Sequence, residues 1–244
     1  MYPPHLLYLK EKGTVWFNPS YGLRYFWEEQ RKLAQKFADK PFQYVWDHRE
    51  LKRAKEIYAM SIIAKAMSKS DQRQWWMIKP QNDPPDGVIG TIMEDKGFPE
   101  MCVREVEIVE HKDGNLLDTV RKKLSSKQYE PNTILVCYIS QGGVFDFKRN
   151  SEIILQEATS LDNIFFVFPG LMVSDIPKNG STKEVARAML KVSSVQIKPI
   201  YSMETIDPIE DTRDLKEQGA FFIFEGVGKS GSRRVTLENP PKLF

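Results

Sequence analysis

Twenty residues without glycine or proline, ELKRAKEIYAMSIIAKAMSK from Glu50 to Lys69, constrain this chain more than any other stretch. The periodicity predicts a helix whose second half, 57–67, is apolar on nearly every side. Such a helix has no face to give to water and must be covered all round, here by a sheet and by another helix. Asp47, with Glu50 three residues on, reads as a capping box that starts it. Upstream, Phe26, Gln30, Leu33 and Phe37 fall on one stripe of a helix predicted over 23–40, which Pro41 stops.

Beyond Lys69 the chain alternates between strand and helix patterns. QWWMIKP (74–80) reads as a short strand with its two tryptophans on opposite faces, and DGVIGTIM (86–93) as a second strand entered stiffly through Pro84 and Pro85. After a polar turn, MCVREVEIVE (101–110) reads as a third strand. Asn115 opens an amphipathic helix with Leu116, Val120 and Leu124 at four-residue spacing, and the cations Arg121, Lys122, Lys123 and Lys127 suit its C-terminal half. TILVCYIS (133–140) is continuously apolar, the mark of a central strand buried on both faces. Helices are predicted over 151–158 and 181–191, strands over 163–168 and 194–201, and a hairpin over 220–240. The expected class is α/β: a mixed central sheet with helices on both faces.

Composition bounds the function. The 244 residues are read as a single domain, 1–244, and the 41% hydrophobic and 28% charged content is that of an ordinary globular chain. A net charge of +2, from 35 basic and 33 acidic side chains, gives no global positive field, so any nucleic-acid surface has to be local. Cys102 and Cys137 sit in apolar runs and are expected to be free core thiols. No secretory leader and no uninterrupted apolar span is found, so a cytoplasmic location without a membrane partner is expected.

The chemistry concentrates between Pro84 and Lys112. Strand parity puts Glu105 and Glu107 side by side on one face of the third strand, about 7 Å apart, while Val106 and Ile108 take the core face. Asp86 enters the neighbouring strand and faces the same pair if the register is right. Three carboxylates so placed suit a hard cation such as Mg²⁺. The same pattern also describes the solvated face of an edge strand.

The order helix, three strands, helix, strand over residues 47–140, with Pro85-Asp86 on the second strand and acidic residues on the third, resembles the PD-(D/E)xK nuclease superfamily. The resemblance implies a restriction-endonuclease-like core at 47–140, with an N-terminal helical region at 1–46 and an αβ extension and hairpin at 141–244. It further implies metal-dependent hydrolysis of DNA by an endonuclease, with Asp86, Glu105 and Glu107 as catalytic residues and ligands of Mg or Mn, and it allows a homodimer. In the second motif, Glu107 stands where the family usually has lysine. A literal match, Glu110-His111-Lys112, ranks behind it because Glu110 shares the core face. The family often adds a helical glutamate, a role open to Glu50 or Glu56. The alternative reading is a catalytically inactive member of the same fold, acting as a nucleic-acid-binding or assembly module.

Other signals are weaker. GVGKSGS (226–232) lacks the first glycine of a phosphate loop and precedes a strand, so it reads as a hairpin turn. His5, His48 and His111 have no partners at zinc-ligand spacing.

Overall fold

The computed structural model describes residues 15–80, 85–95, 98–126, 128–140, 145–157, 161, 163–168, 192–198, 201–207, 221–225 and 233–236. It is an α/β structure built on one mixed sheet. The strands are β1 (Val15–Phe17), β2 (Trp75–Ile78), β3 (Gly87–Asp95), β4 (Phe98–His111), β5 (Ile134–Ile139), β6 (Asn163–Phe168), β7 (Val192–Lys198), β8 (Ser202–Ile206), β9 (Phe221–Glu225) and β10 (Arg233–Thr236). Across the sheet the order is β10-β9-β1-β2-β3-β4-β5-β6-β7-β8. Neighbours β2, β3 and β4 run antiparallel, while β4, β5 and β6 run parallel.

Among the described residues, five α-helices flank the sheet: α1 (Pro19–Lys36), α2 (Phe42–Trp46), α3 (Lys52–Asp71), α4 (Leu116–Ser126) and α5 (Phe147–Gln156). On one face α3 lies against the inward residues of β2 to β6, and α1 covers its other side. Leu23, Phe26, Tyr58, Ile62, Ile63, Val106 and Tyr138 belong to this core. The opposite face packs Leu116, Leu117 and Val120 of α4 and Phe147 and Ile154 of α5 against Leu135, Cys137 and Ile139 of β5. Strand β5 is therefore buried on both faces, as its unbroken apolar run requires. Trp75 joins the α3 core and Trp76 a separate cluster with Trp16, Ile78 and Val88, the opposite-face placement that strand parity demands. Cys102 and Cys137 are free thiols, and burial pushes that of Cys137 up to about 12.

Three sequence expectations are corrected. Helix α1 begins at Pro19 rather than Leu23, because the Asn18 Oδ1 accepts from Ser20 N at 2.9 Å and proline suits the first helical position. Asp47 does not cap α3: it ends α2, and the His48 Nδ1 takes the Glu50 N–H at 3.3 Å to open a 3₁₀ turn, Arg49–Leu51, that leads into α3. The N-terminal region is not purely helical, since β1 enters the sheet between β2 and β9. Two features went unforeseen, β1 itself and β8, which pairs with β7. The hairpin is present as β9 and β10, but its turn at 226–232 and the helix expected at 181–191 lie outside the described residues. Among those residues, no helix is long and apolar enough to cross a membrane.

The α1–α3 crossing has no slack. A Cβ added at Gly22 would lie 2.2 Å from the Ser61 Oγ, which already bonds the Ile57 carbonyl at 2.7 Å. Gly22→Ala is therefore expected to lower stability by about 1–3 kcal/mol in urea unfolding, the usual cost of overpacking. Removing the obstructing hydroxyl in Gly22→Ala/Ser61→Ala should recover part of that loss.

Candidate active site on the face of β4 that meets α4

Strand β4 lies between β3 and β5 over Val106–His111, so Glu107 is not on a solvated edge, whereas Glu105 precedes the stretch paired with β5. The register pairs Gly87 with Val106 and Val88 with Glu105, which carries Asp86 to the level of Glu107. Val106 and Ile108 point into the α3 core and leave both glutamates on the opposite face, where α4 lies. Glu107 is only 3% exposed and Glu105 is half-buried. The Asp86 Oδ2 accepts from the Ile108 backbone N–H at 2.7 Å, tying the entry of β3 to β4 beside Glu107. The register and this bond bring Asp86 beside Glu107, while Glu105 follows on the same strand face two residues earlier.

A fourth group was missed. The Lys123 Nζ of α4 lies 3.0 Å from the Glu107 Oε2, with the lysine side chain 24% exposed. Burial alone would lower the Lys123 pKa. The bond to Glu107 and the negative charges of Glu107 and Asp86 outweigh it, and hold the ammonium above the ordinary lysine range. Its sequence signal is the phase of the helix: 116, 120, 123 and 124 follow the i, i+4, i+7, i+8 stripe that faces the sheet. The neighbouring Arg121 points the other way, to Asp118 and Glu157. Grouping Lys123 with the dipole-favoured cations of the last turn hides its inward position.

The remaining candidates lie elsewhere. Glu50 is exposed and bonds the Lys36 Nζ at 3.0 Å, which holds its carboxyl below the usual range. Glu56 is buried on α3 and paired with the Lys79 Nζ at 3.0 Å, and that ammonium also bonds the Asp86 carbonyl. Glu110 lies on the α3 face and pairs with the Lys55 Nζ at 2.7 Å, while Lys112 reaches Glu110 at 3.5 Å. His111 is buried behind β4, its Nδ1 2.9 Å from the Thr119 Oγ1, and burial lowers its pKa. The literal Glu110-His111-Lys112 match is therefore split between the two faces of the sheet.

Among the described residues, no group of three or more His, Cys, Asp and Glu side chains is arranged to hold a metal ion. Lys123 bonds Glu107 and also feels the charge of Asp86.

Removing one member of the Glu107–Lys123 pair should expose the cost of the other. Lys123→Met is expected to destabilise the fold by roughly 1–3 kcal/mol by leaving the buried Glu107 without its ammonium, and Lys123→Met/Glu107→Gln to recover most of it in a double-mutant cycle. The pair's contribution has a pH window fixed by sign. Because the folded Lys123 pKa is raised, that contribution is complete below the ordinary lysine value of 10.5 and is lost as pH rises through the folded value. Alkaline urea titrations should show this loss in the wild type and not in the double variant.

Compared with protein-family models, curated proteins and solved structures, the chain matches none of them.

Proposed function

We propose that the chain is a metal-dependent nuclease of the PD-(D/E)xK type that hydrolyses phosphodiester bonds in DNA, with Asp86, Glu105 and Glu107 as its acidic residues and Lys123 as its cation. The observation that carries this reading is the 3.0 Å contact between Lys123 and Glu107. The sequence lacks a lysine two residues after Glu105, and Lys123 of α4 is the ammonium that lies against Glu107 at that position. The order α3-β2-β3-β4-α4-β5, with β2 to β4 antiparallel and β5 parallel to β4, supports the same reading.

Each group has a role set by its surroundings. The raised pKa keeps Lys123 protonated, so it serves as a fixed positive charge for the charge that develops on a phosphate, not as a base. Glu105 and Glu107 are the groups able to accept a proton from an attacking water. The bond from the Ile108 N–H holds the Asp86 carboxylate in place. Asp86 and Glu107, with Glu105 beside them, would hold Mg²⁺ or Mn²⁺, which would supply Lewis-acid polarisation of the phosphate. Such ions are commonly held by one or two carboxylates, with waters and substrate phosphates completing the shell.

The second reading, an inactive member that binds nucleic acid or serves assembly, is favoured by the closed Glu107–Lys123 pair and by the absence of a three-carboxylate group among the described residues. Incubating the protein with single- and double-stranded DNA and Mg²⁺ or Mn²⁺ separates the two. The nuclease reading expects cleavage that falls about 10²–10⁴-fold in Asp86→Ala and in Lys123→Met while both variants remain folded. DNA binding with no cleavage under any divalent ion would give the second reading its case.

A further inference from the structure

Asp86 stands just outside the sheet that presents it. The pairing of β2 with β3 ends at Ile78 opposite Val88, and that of β3 with β4 ends at Gly87 opposite Val106. Neither register includes Asp86, so the residue depends on other contacts for its place. Two hydrogen bonds supply them. The carboxylate accepts from the Ile108 N–H at 2.7 Å, and the main-chain carbonyl accepts from the Lys79 Nζ at 2.5 Å. The first aims the side chain at β4, and the second fixes the backbone that carries it.

Lys79 follows the last residue of β2, and its ammonium reaches across to the entry of β3. Its side chain is 3% exposed, and Glu56 of α3, 11% exposed, meets it at 3.0 Å. An ion pair this deep contributes little net stability, because the desolvation of both charges offsets their attraction and apolar side chains of similar volume do as well or better. Stability alone therefore gives no reason to bury an ammonium here. A carbonyl just outside the paired strands does: it needs a donor, and an ammonium anchored by a carboxylate is a strong and directed one.

Helix α3 is placed to provide that anchor. One turn beyond Glu56, Met60 closes against Gly87, where an added Cβ would lie 2.2 Å from its Sδ. The same stripe of α3 thus holds the Asp86–Gly87 step twice, by contact at Gly87 and through Lys79 at Asp86.

We infer that Lys79, anchored by Glu56, is a positioning residue: it holds the main chain of Asp86 so that the carboxylate stays on the Ile108 N–H and level with Glu107. Lys79 acts through the Asp86 carbonyl and Glu56 acts through Lys79. The inference rests on the reading of Asp86 as a catalytic acid.

The test compares wild type, Lys79→Met, Lys79→Met/Glu56→Gln and Asp86→Ala. Lys79→Met alone takes the buried counter-ion from Glu56 and should lower the Tm, whereas the double variant removes both charges and should melt close to the wild type. The direct readout needs neither metal nor DNA: it is the Ile108 amide in the NMR spectrum of the free protein. In the wild type its proton should resonate downfield, as a short bond to a carboxylate demands, and Asp86→Ala should lose that shift. Both Lys79 variants should move it towards the Asp86→Ala position and speed its exchange with solvent about tenfold. In cleavage assays the double variant should lose about 10–100-fold in kcat with KM little changed, the usual cost of a lost supporting contact. An Ile108 amide that keeps the wild-type shift and exchange rate in the double variant overturns the inference, since the pair is then a structural one. Full cleavage by the double variant where Asp86→Ala cleaves nothing overturns it as well. Cleavage by Asp86→Ala at the wild-type rate instead removes the reading of Asp86 as catalytic, and the amide result still decides whether the pair positions it.

Discussion

A helix with no polar face has to be enclosed, and the enclosure of α3 orders the rest of the structure. The sheet takes one side of it and α1 the other, at a crossing where Gly22 sits against Ser61. The sheet must approach just as closely. A Cβ at Gly87 would lie 2.2 Å from the Met60 Sδ, so any side chain at the first residue of β3 would have to displace the Met60 thioether. Fixing Gly87 fixes its neighbour Asp86, whose carboxylate is then held by the Ile108 N–H across the strand pair. The position of the proposed catalytic aspartate is in this sense a consequence of core packing on the opposite face.

Strand β4 divides the chemistry. Its alternation gives Val106, Ile108 and Glu110 to α3 and Glu105, Glu107 and Val109 to α4. On each face, a carboxylate of β4 is met by a lysine from the covering helix: Glu110 by Lys55 and Glu107 by Lys123. An unpaired carboxylate at the buried Glu107 would cost roughly 1–3 kcal/mol, and the helix that seals that face brings the ammonium that offsets it. The two pairs differ in what surrounds them. Asp86 adds a second carboxylate near Lys123, whereas Lys112 adds a second ammonium near Glu110.

Much of the fold was legible because burial leaves a simple record in sequence. The unbroken apolar run of β5, the adjacent tryptophans of β2 and the parity of Glu105 and Glu107 each derive from one periodicity, and each is placed as that periodicity requires. What escaped depends on long-range pairing or on competition between caps. Strand β1 has three residues, too few for a pattern, and is held by β2 and β9 from distant parts of the chain. Asp47 stands where a cap is expected, but α2 intervenes and His48 takes the bond. Lys123 was visible as a cation in a basic segment, yet its importance rests on pointing inward, which only the helical phase relative to Leu116 and Val120 discloses.

The proposed chemistry requires Lys123 to be a charged member of the acidic site and not a surface lysine that happens to lie near it. The most direct measurement is its ammonium pKa by NMR titration in the intact protein, in wild type and in Glu107→Gln. A wild-type value above the ordinary 10.5 is expected, and it should fall when Glu107 loses its charge, because burial then meets less opposition from neighbouring carboxylate. A wild-type value at or below the ordinary one, unchanged in Glu107→Gln, would contradict that role.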